Sequence, residues 1–190
     1  MNQFNRYINA AKQASHKKFG NQYEAYFDHQ HFQDVSEIGN TPVVFLIDFR
    51  TPEFLYLSQN TIDIQGYEHS EIVEIGPYKF YEKIHPGDIV QLADKTMRNI
   101  NIELTKAGIR MNELIDIKIE YNYRLEQKDG SFRWLQNQFM YLMAGHNYQP
   151  LVILGNVRVM DNQQLKDLYA KIYKKNSRGE FDTMYENRFY

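Results

Sequence analysis

Two glutamines among a row of tyrosines supply the first chemistry this sequence offers. Ile115, Ile117, Ile119, Tyr121, Tyr123 and Leu125 alternate with Asp116, Lys118, Glu120, Asn122, Arg124 and Glu126, the period of a strand with one buried and one wet face. Asp129-Gly130 follows, the signal of a two-residue type I′ turn. Such a turn sets Leu125 opposite Trp134, Tyr123 opposite Gln136, Tyr121 opposite Gln138 and Ile119 opposite Met140, all on one face. That face is apolar apart from Gln136, Gln138 and the tyrosine hydroxyls, and a buried amide left unpaired costs about 1–3 kcal/mol. Two readings stay open: hydroxyls, backbone or water satisfy the amides, or the amides line a cavity and bind a polar ligand. The other face then carries Leu135, Phe139 and Tyr141, with Val152 and Leu154 joining from the next strand. Such an apolar stripe requires cover.

Histidine chemistry is sparse. His29 and His31 suit two ligands from an extended segment, but no third donor stands near them, so no metal site is expected. His85 and Asp88 are three apart and within mutual reach. Asp88 is better explained as a helix N-cap, His85 as a hydrogen-bonding group where that helix begins, and no serine nucleophile accompanies them. Neither Gly-x-Gly-x-x-Gly nor Gly-x-x-x-x-Gly-Lys occurs. The chain is therefore expected not to be an enzyme. The alternative is a small cavity-type isomerase or lyase, whose sign would be a titratable pair in the cavity with strongly shifted pKa values.

Composition narrows the field further. With no cysteine in 190 residues, disulfides, thiolate nucleophiles, Cys-ligated zinc and iron–sulfur clusters are excluded. Lys+Arg 22 against Asp+Glu 24 gives a formal charge of −2, without the positive excess of a protein that grips phosphates, so no direct nucleic-acid binding is expected. No window approaches a membrane span and no signal peptide opens the chain, which makes cytoplasmic residence the expectation. Fifteen Tyr and 12 Phe beside one Trp provide side chains suited to pockets and interfaces.

Elements that position these residues can be read from periodicity. Phe4, Tyr7, Ile8, Ala11 and Ala14 predict an amphipathic helix over 2–18, and a second helical piece falls within 23–38. Strands are predicted at 42–48 and 54–58, short helical turns over 60–83, and a longer helix from Asp88 that Gly108 stops. Long strands follow at 115–126, 132–143 and 151–160. Asp161 and Gln164 read as a capping box for a helix carrying Leu165, Leu168 and Ile172.

That order of elements, two short strands, small helices, one longer helix and three long meandering strands, resembles a PAS domain. Four fragments carry the resemblance. Phe54-Leu55-Tyr56-Leu57-Ser58 before Ile64-Gln65-Gly66-Tyr67 is similar to the family's second strand and first helices. Phe80 to Asp88, through Ile84-His85-Pro86-Gly87, resembles the approach to its long helix. Tyr123-Arg124-Leu125 and Lys128-Asp129-Gly130-Ser131-Phe132-Arg133-Trp134 resemble its hairpin. The resemblance implies an α+β fold: a five-stranded antiparallel sheet with helices over one face, a cavity between, and flanking helices at both ends. The chain divides accordingly into an N-terminal extension, 1–41, a sensor domain, 42–160, and a C-terminal helix and tail, 161–190.

What it implies of function is signal reception or protein interaction, with transcription regulation as the output. The arrangement suggested is the sensor half of a LuxR-type regulator, whose helix-turn-helix effector is not present in this chain. Candidate ligand-binding residues are Tyr67, Phe80, Tyr121, Tyr123, Trp134, Gln136 and Gln138. The ligand and any cofactor are left unnamed; a flavin–cysteine adduct is excluded by the absent cysteine, whereas non-covalent flavin is not, and His85 is the one candidate for haem ligation. A homodimer is expected, with interface residues Phe4, Tyr7, Ile8, Leu135, Phe139 and Tyr141. The rival reading is a structural dimerisation module without a ligand.

Overall fold

Val43–Asp48, a β-branched and apolar run, forms β1, and Glu53–Leu57 returns beside it as β2. These are the first elements of a computed structural model that describes residues 42–160 and 167–189. Helix α1, Thr61–Gln65, ends at Gly66 with φ 72°, and α2, His69–Tyr81, opens with a capping box of Glu68 and Glu71. Helix α2 is broken at Gly76, whose φ of 74° and ψ of 160° suit glycine alone; Pro77 behind it also disfavours α geometry at its predecessor. Pro86–Gln91 forms α3, and a π turn at Leu92–Thr96 leads into α4, Met97–Lys106. The long strands are β3, Ile117–Glu126, β4, Phe132–Ala144, and β5, Pro150–Val159. A two-turn 3₁₀ segment, Met111–Asp116, takes the first two residues of the strand predicted from 115.

Two further strands extend the sheet beyond the five expected. Leu168–Lys175 is β6 and Phe181–Phe189 is β7, and the seven strands run in the order β2-β1-β5-β4-β3-β6-β7, antiparallel throughout. The helix expected to carry Leu165, Leu168 and Ile172 is therefore corrected to strand over its described part. Leu168 and Ile172 are four apart, a spacing that puts two residues on one face of a helix and of a strand alike. Ala170 between them settles the period at two, since Leu168, Ala170 and Ile172 share the main core cluster while Tyr169 bonds to Glu120 on the other face. The turn that follows is built by Asn176, whose N–H donates to the Glu180 carbonyl and whose carbonyl accepts from Gly179, a residue at φ 84°. The helix over 2–18 with Phe4, Tyr7 and Ile8, the piece at 23–38, and the Asp161–Gln164 capping box lie outside the described residues.

The β3–β4 register is also corrected. Gln127 N–H donates to the Ser131 carbonyl at 2.7 Å and Gly130 N–H to the Gln127 carbonyl at 3.0 Å, so the loop is the three residues Lys128-Asp129-Gly130, closed by Gly130 at φ 81°. The Asp129 carboxylate accepts from both the backbone and the hydroxyl of Ser131, which favours this loop over the two-residue turn. A one-residue slip reverses every face: Leu125 pairs with Arg133, Tyr123 with Leu135, Tyr121 with Asn137 and Ile119 with Phe139. Leu135, Phe139 and Tyr141 thus sit in the main core beneath the helices, together with Tyr121 and Tyr123. Val152 and Leu154 remain on the other face, in a second buried cluster with Leu46 and Met140.

Candidate functional site

Between the sheet and the helices α1 and α2 lies a cavity of about 40 Å³. Strands β1 and β5 supply Phe45 and Val157, β2 supplies Phe54, α2 supplies Ile72, Pro77, Phe80 and Tyr81, and β3 and β4 supply Tyr123 and Asn137. Helix α1 contributes Thr61 and Gln65, one turn apart, so both side chains point the same way. Their Oγ1 and Oε1 atoms are buried and have no hydrogen-bond partner. Gly155 makes room on the sheet side: a Cβ there would lie 2.4 Å from the Phe45 ring and 2.6 Å from the Gln138 carbonyl.

A polar strand of contacts runs along one wall. Tyr81 is hydrogen-bonded to Tyr121, and Tyr121 to Asn137. Burial pushes the Tyr81 phenol up to about 12, with the bond from Tyr121 pulling the other way; burial also holds Tyr121 and Tyr123 above the usual phenol range. All three stay neutral near pH 7, as hydrogen-bonding groups rather than acids.

The opposite face of the sheet carries a second polar cluster. Buried Glu120 on β3 accepts from Tyr169 at 2.9 Å and Tyr173 at 3.3 Å, both on β6, and from Gln138 on β4. Gln136 donates to Tyr169 and accepts from Arg158. Asn122 clamps the start of β6, donating to the Asp167 carbonyl at 2.9 Å and accepting from Tyr169 N–H at 2.8 Å. Burial and the Glu120 carboxylate together raise the phenol pKa of Tyr169 and Tyr173.

The sequence-predicted residues divide between these places. Phe80 and Tyr123 line the cavity, and Tyr121 stands behind it in the tyrosine chain. Gln136 and Gln138, expected beside them, lie on the far face because of the register. Trp134 pairs with Arg124, whose guanidinium sits 5.3 Å from its ring centre. Tyr67 is half-buried beside Lys83 and Lys128, 5.1 and 5.8 Å from its ring centre, and does not line the cavity. Thr61, Gln65 and Asn137 were missed. The signal for Asn137 was the alternation itself, one residue out of step, whereas two polar residues four apart in a short broken segment gave no pattern to follow.

The His85–Asp88 pair is structural in its geometry. His85, not Asp88, caps the helix, its Nδ1 accepting from Gly87 N–H at 3.1 Å while its ring meets Phe132 edge-on at 4.9 Å. It is not a wall of the cavity. Asp88 is buried and its carboxylate receives the Arg124 backbone N–H at 2.8 Å and both Nε and Nη2 of that guanidinium, at 3.0 and 2.6 Å. Beside them His85 N–H and Glu126 N–H bond across to the Arg124 and Lys83 carbonyls, covering the end of the β3 edge that β6 does not reach. Among the described residues no group of three or more His, Cys, Asp or Glu could hold a metal, and no helix is long and apolar enough to cross a membrane. His29 and His31 lie outside them.

No family model matches the sequence, and no curated protein matches it. Solved structures do. The N-terminal domain of a diguanylate cyclase with PAS/PAC sensor from Marinobacter aquaeolei is 14% identical, with 63% of this chain and 94% of that one covered at a TM-score of 0.43. A sensory box histidine kinase/response regulator from Burkholderia thailandensis is 24% identical over 63% and 76% at 0.38, and a Rhodobacter sphaeroides LOV protein 14% over 72% and 70% at 0.39. With its own order of elements, two short strands, small helices, a longer helix and three long antiparallel strands with the described helices packed on one face, the chain has a PAS-like fold, extended by a C-terminal hairpin.

Proposed function

We propose that this chain is a sensory, signal-relaying module without catalytic activity of its own, in which occupancy of the cavity is passed through β3 to the hairpin of β6 and β7. The observation that carries this is the alternation along β3. Tyr121 and Tyr123 face the helices and the cavity, whereas Glu120 and Asn122 face the other way and hold β6. Successive side chains share one backbone, and close-packed interiors transmit displacement rather than absorb it, so a shift at the tyrosines moves the groups that anchor the hairpin. Small-molecule binding in the cavity and output to a transcription regulator through a helix-turn-helix effector belong to the same reading, the latter on the sequence resemblance. So does a homodimer built on the Phe4, Tyr7 and Ile8 stripe; the outer-sheet stripe no longer supports it, since three of its residues are core.

Amide hydrogen exchange tests the relay. Val157→Leu adds one methylene to the cavity wall from β5 and alters no residue of β3 or β6. Exchange across Leu168–Lys175 is expected to change in this variant along with exchange at Tyr121 and Tyr123. Altered exchange around the cavity with unchanged protection throughout β6 would refute the relay.

A further inference from the structure

We infer that the cavity takes a small uncharged molecule carrying a hydrogen-bond donor at one end, held by Gln65 and Thr61; this rests on the sensory reading above and names the class of ligand. Thr61 is 1% and Gln65 3% exposed, and the Oγ1 and Oε1 atoms of these residues are without partners. A buried polar atom left unsatisfied gives up its bonds to water with nothing in return. Two of them one turn apart on α1, both lining one void, mark an unsatisfied polar spot in walls that are mostly apolar, through residues such as Phe45, Phe54, Phe80 and Val157, and that carry further polar groups on Tyr81, Tyr123 and Asn137.

Charge, size and polarity each restrict what fits that spot. No Lys, Arg, His, Asp or Glu lines the cavity, so an ion would lose its hydration against no counter-charge. The ligand is neutral. A volume of about 40 Å³, at roughly 10–15 Å³ for each water-sized group, holds about three or four heavy atoms; a haem or a flavin ring is far larger. Gln65 Oε1 only accepts, so the ligand must donate to it, while the Thr61 hydroxyl serves in either sense. A primary amide or hydroxyl on a short apolar body meets all of these conditions.

Acetamide and acetate share a shape and differ in charge and in donors, so they are the probes. Protein-observed NMR titration of the full chain is expected to show saturable acetamide binding, with shifts centred on Thr61 and Gln65, and acetate binding at least about tenfold weaker. In Thr61→Val combined with Gln65→Leu, acetamide affinity is expected to fall at least about tenfold. Equal binding of the two probes, or acetamide binding unchanged in the double variant, overturns the inference. Binding of neither overturns it too, and leaves ordered water as the occupant. The comparison of probes on the unaltered chain stands even where the double variant fails to fold. Acetamide that binds while Val157→Leu leaves β6 exchange unchanged sinks the relay alone; a hairpin that responds to Val157→Leu without acetamide binding sinks the ligand class alone.

Discussion

Gly155→Ala is the sharpest test of how the cavity wall is built. Gly155 lies between Phe45 on β1 and Phe139 on β4. A methyl group there would stand 2.4 Å from Phe45 Cζ and 2.6 Å from the Gln138 carbonyl oxygen, both well inside van der Waals contact. The ring can turn toward the cavity it lines. The carbonyl belongs to the β4–β5 ladder and moves only if that pairing is disturbed. Overpacking of a core costs about 1–3 kcal/mol, and a clash with backbone places this variant near the top, about 3 kcal/mol. For a chain of this size that lowers Tm by roughly 6–12 °C. Calorimetry or denaturant unfolding measures it, and in a double-mutant cycle with Phe45→Leu, which removes the ring clash but not the backbone one, a coupling of about 1 kcal/mol is expected once the cost of Phe45→Leu alone is subtracted. A Gly155→Ala protein within about 0.5 kcal/mol of the parent would refute this account, and with it the packing that sets the size of the cavity.

Asp88→Ala leaves the Arg124 backbone N–H and guanidinium without their acceptor; because Asp88 is buried and Arg124 is only half-buried, the expected loss is about 2–4 kcal/mol, below the full cost of breaking a wholly buried pair, measured by urea unfolding. Alkaline pH should destabilise the fold through tyrosines half-buried against the core. Tyr78 and Tyr81 are raised by burial from 10 to about 12, so the folded state keeps protons that the unfolded chain releases; their contribution is fully present below pH 10 and is lost as pH rises through 12. Thermal unfolding followed across that window should show falling Tm, with tyrosinate absorbance for these residues appearing only on unfolding; early tyrosinate in a folded chain would count against their burial.

Much of the core was legible because its signals are local and repeated. Strict alternation over Ile117 to Leu125 specified a strand and its core face, and the neighbouring apolar runs specified β1, β2, β4 and β5, but the face expected to be wet is also buried at Glu120 and Asn122, which bond to β6. Where one cue served two geometries the reading failed. Leu168 and Ile172 fit a helix and a strand equally, and the burial of Ala170 that separates them comes from packing against β3 and β7, which no local window contains. Asp129-Gly130 signals a turn but not its length. The bonds from Ser131 to Asp129 lengthen that turn by one residue.

That single residue decides which chemistry faces which partner. With a two-residue turn, Gln136 and Gln138 would share a face with Tyr121 and Tyr123, and β4 would present amides to the helices. In the observed register β4 offers Asn137 there instead, and the glutamines join Glu120, Tyr169 and Tyr173 on the far side. The polar groups of β3 and β4 are thus partitioned into one set that reaches the cavity and another that reaches the C-terminal hairpin. A slip of one residue would carry Gln136 and Gln138 to the cavity side and take their bonds from Tyr169 and Glu120, while Glu120 and Asn122 on β3 kept their hold on β6, so the turn at Lys128-Asp129-Gly130 fixes which polar groups of β4 support that anchor.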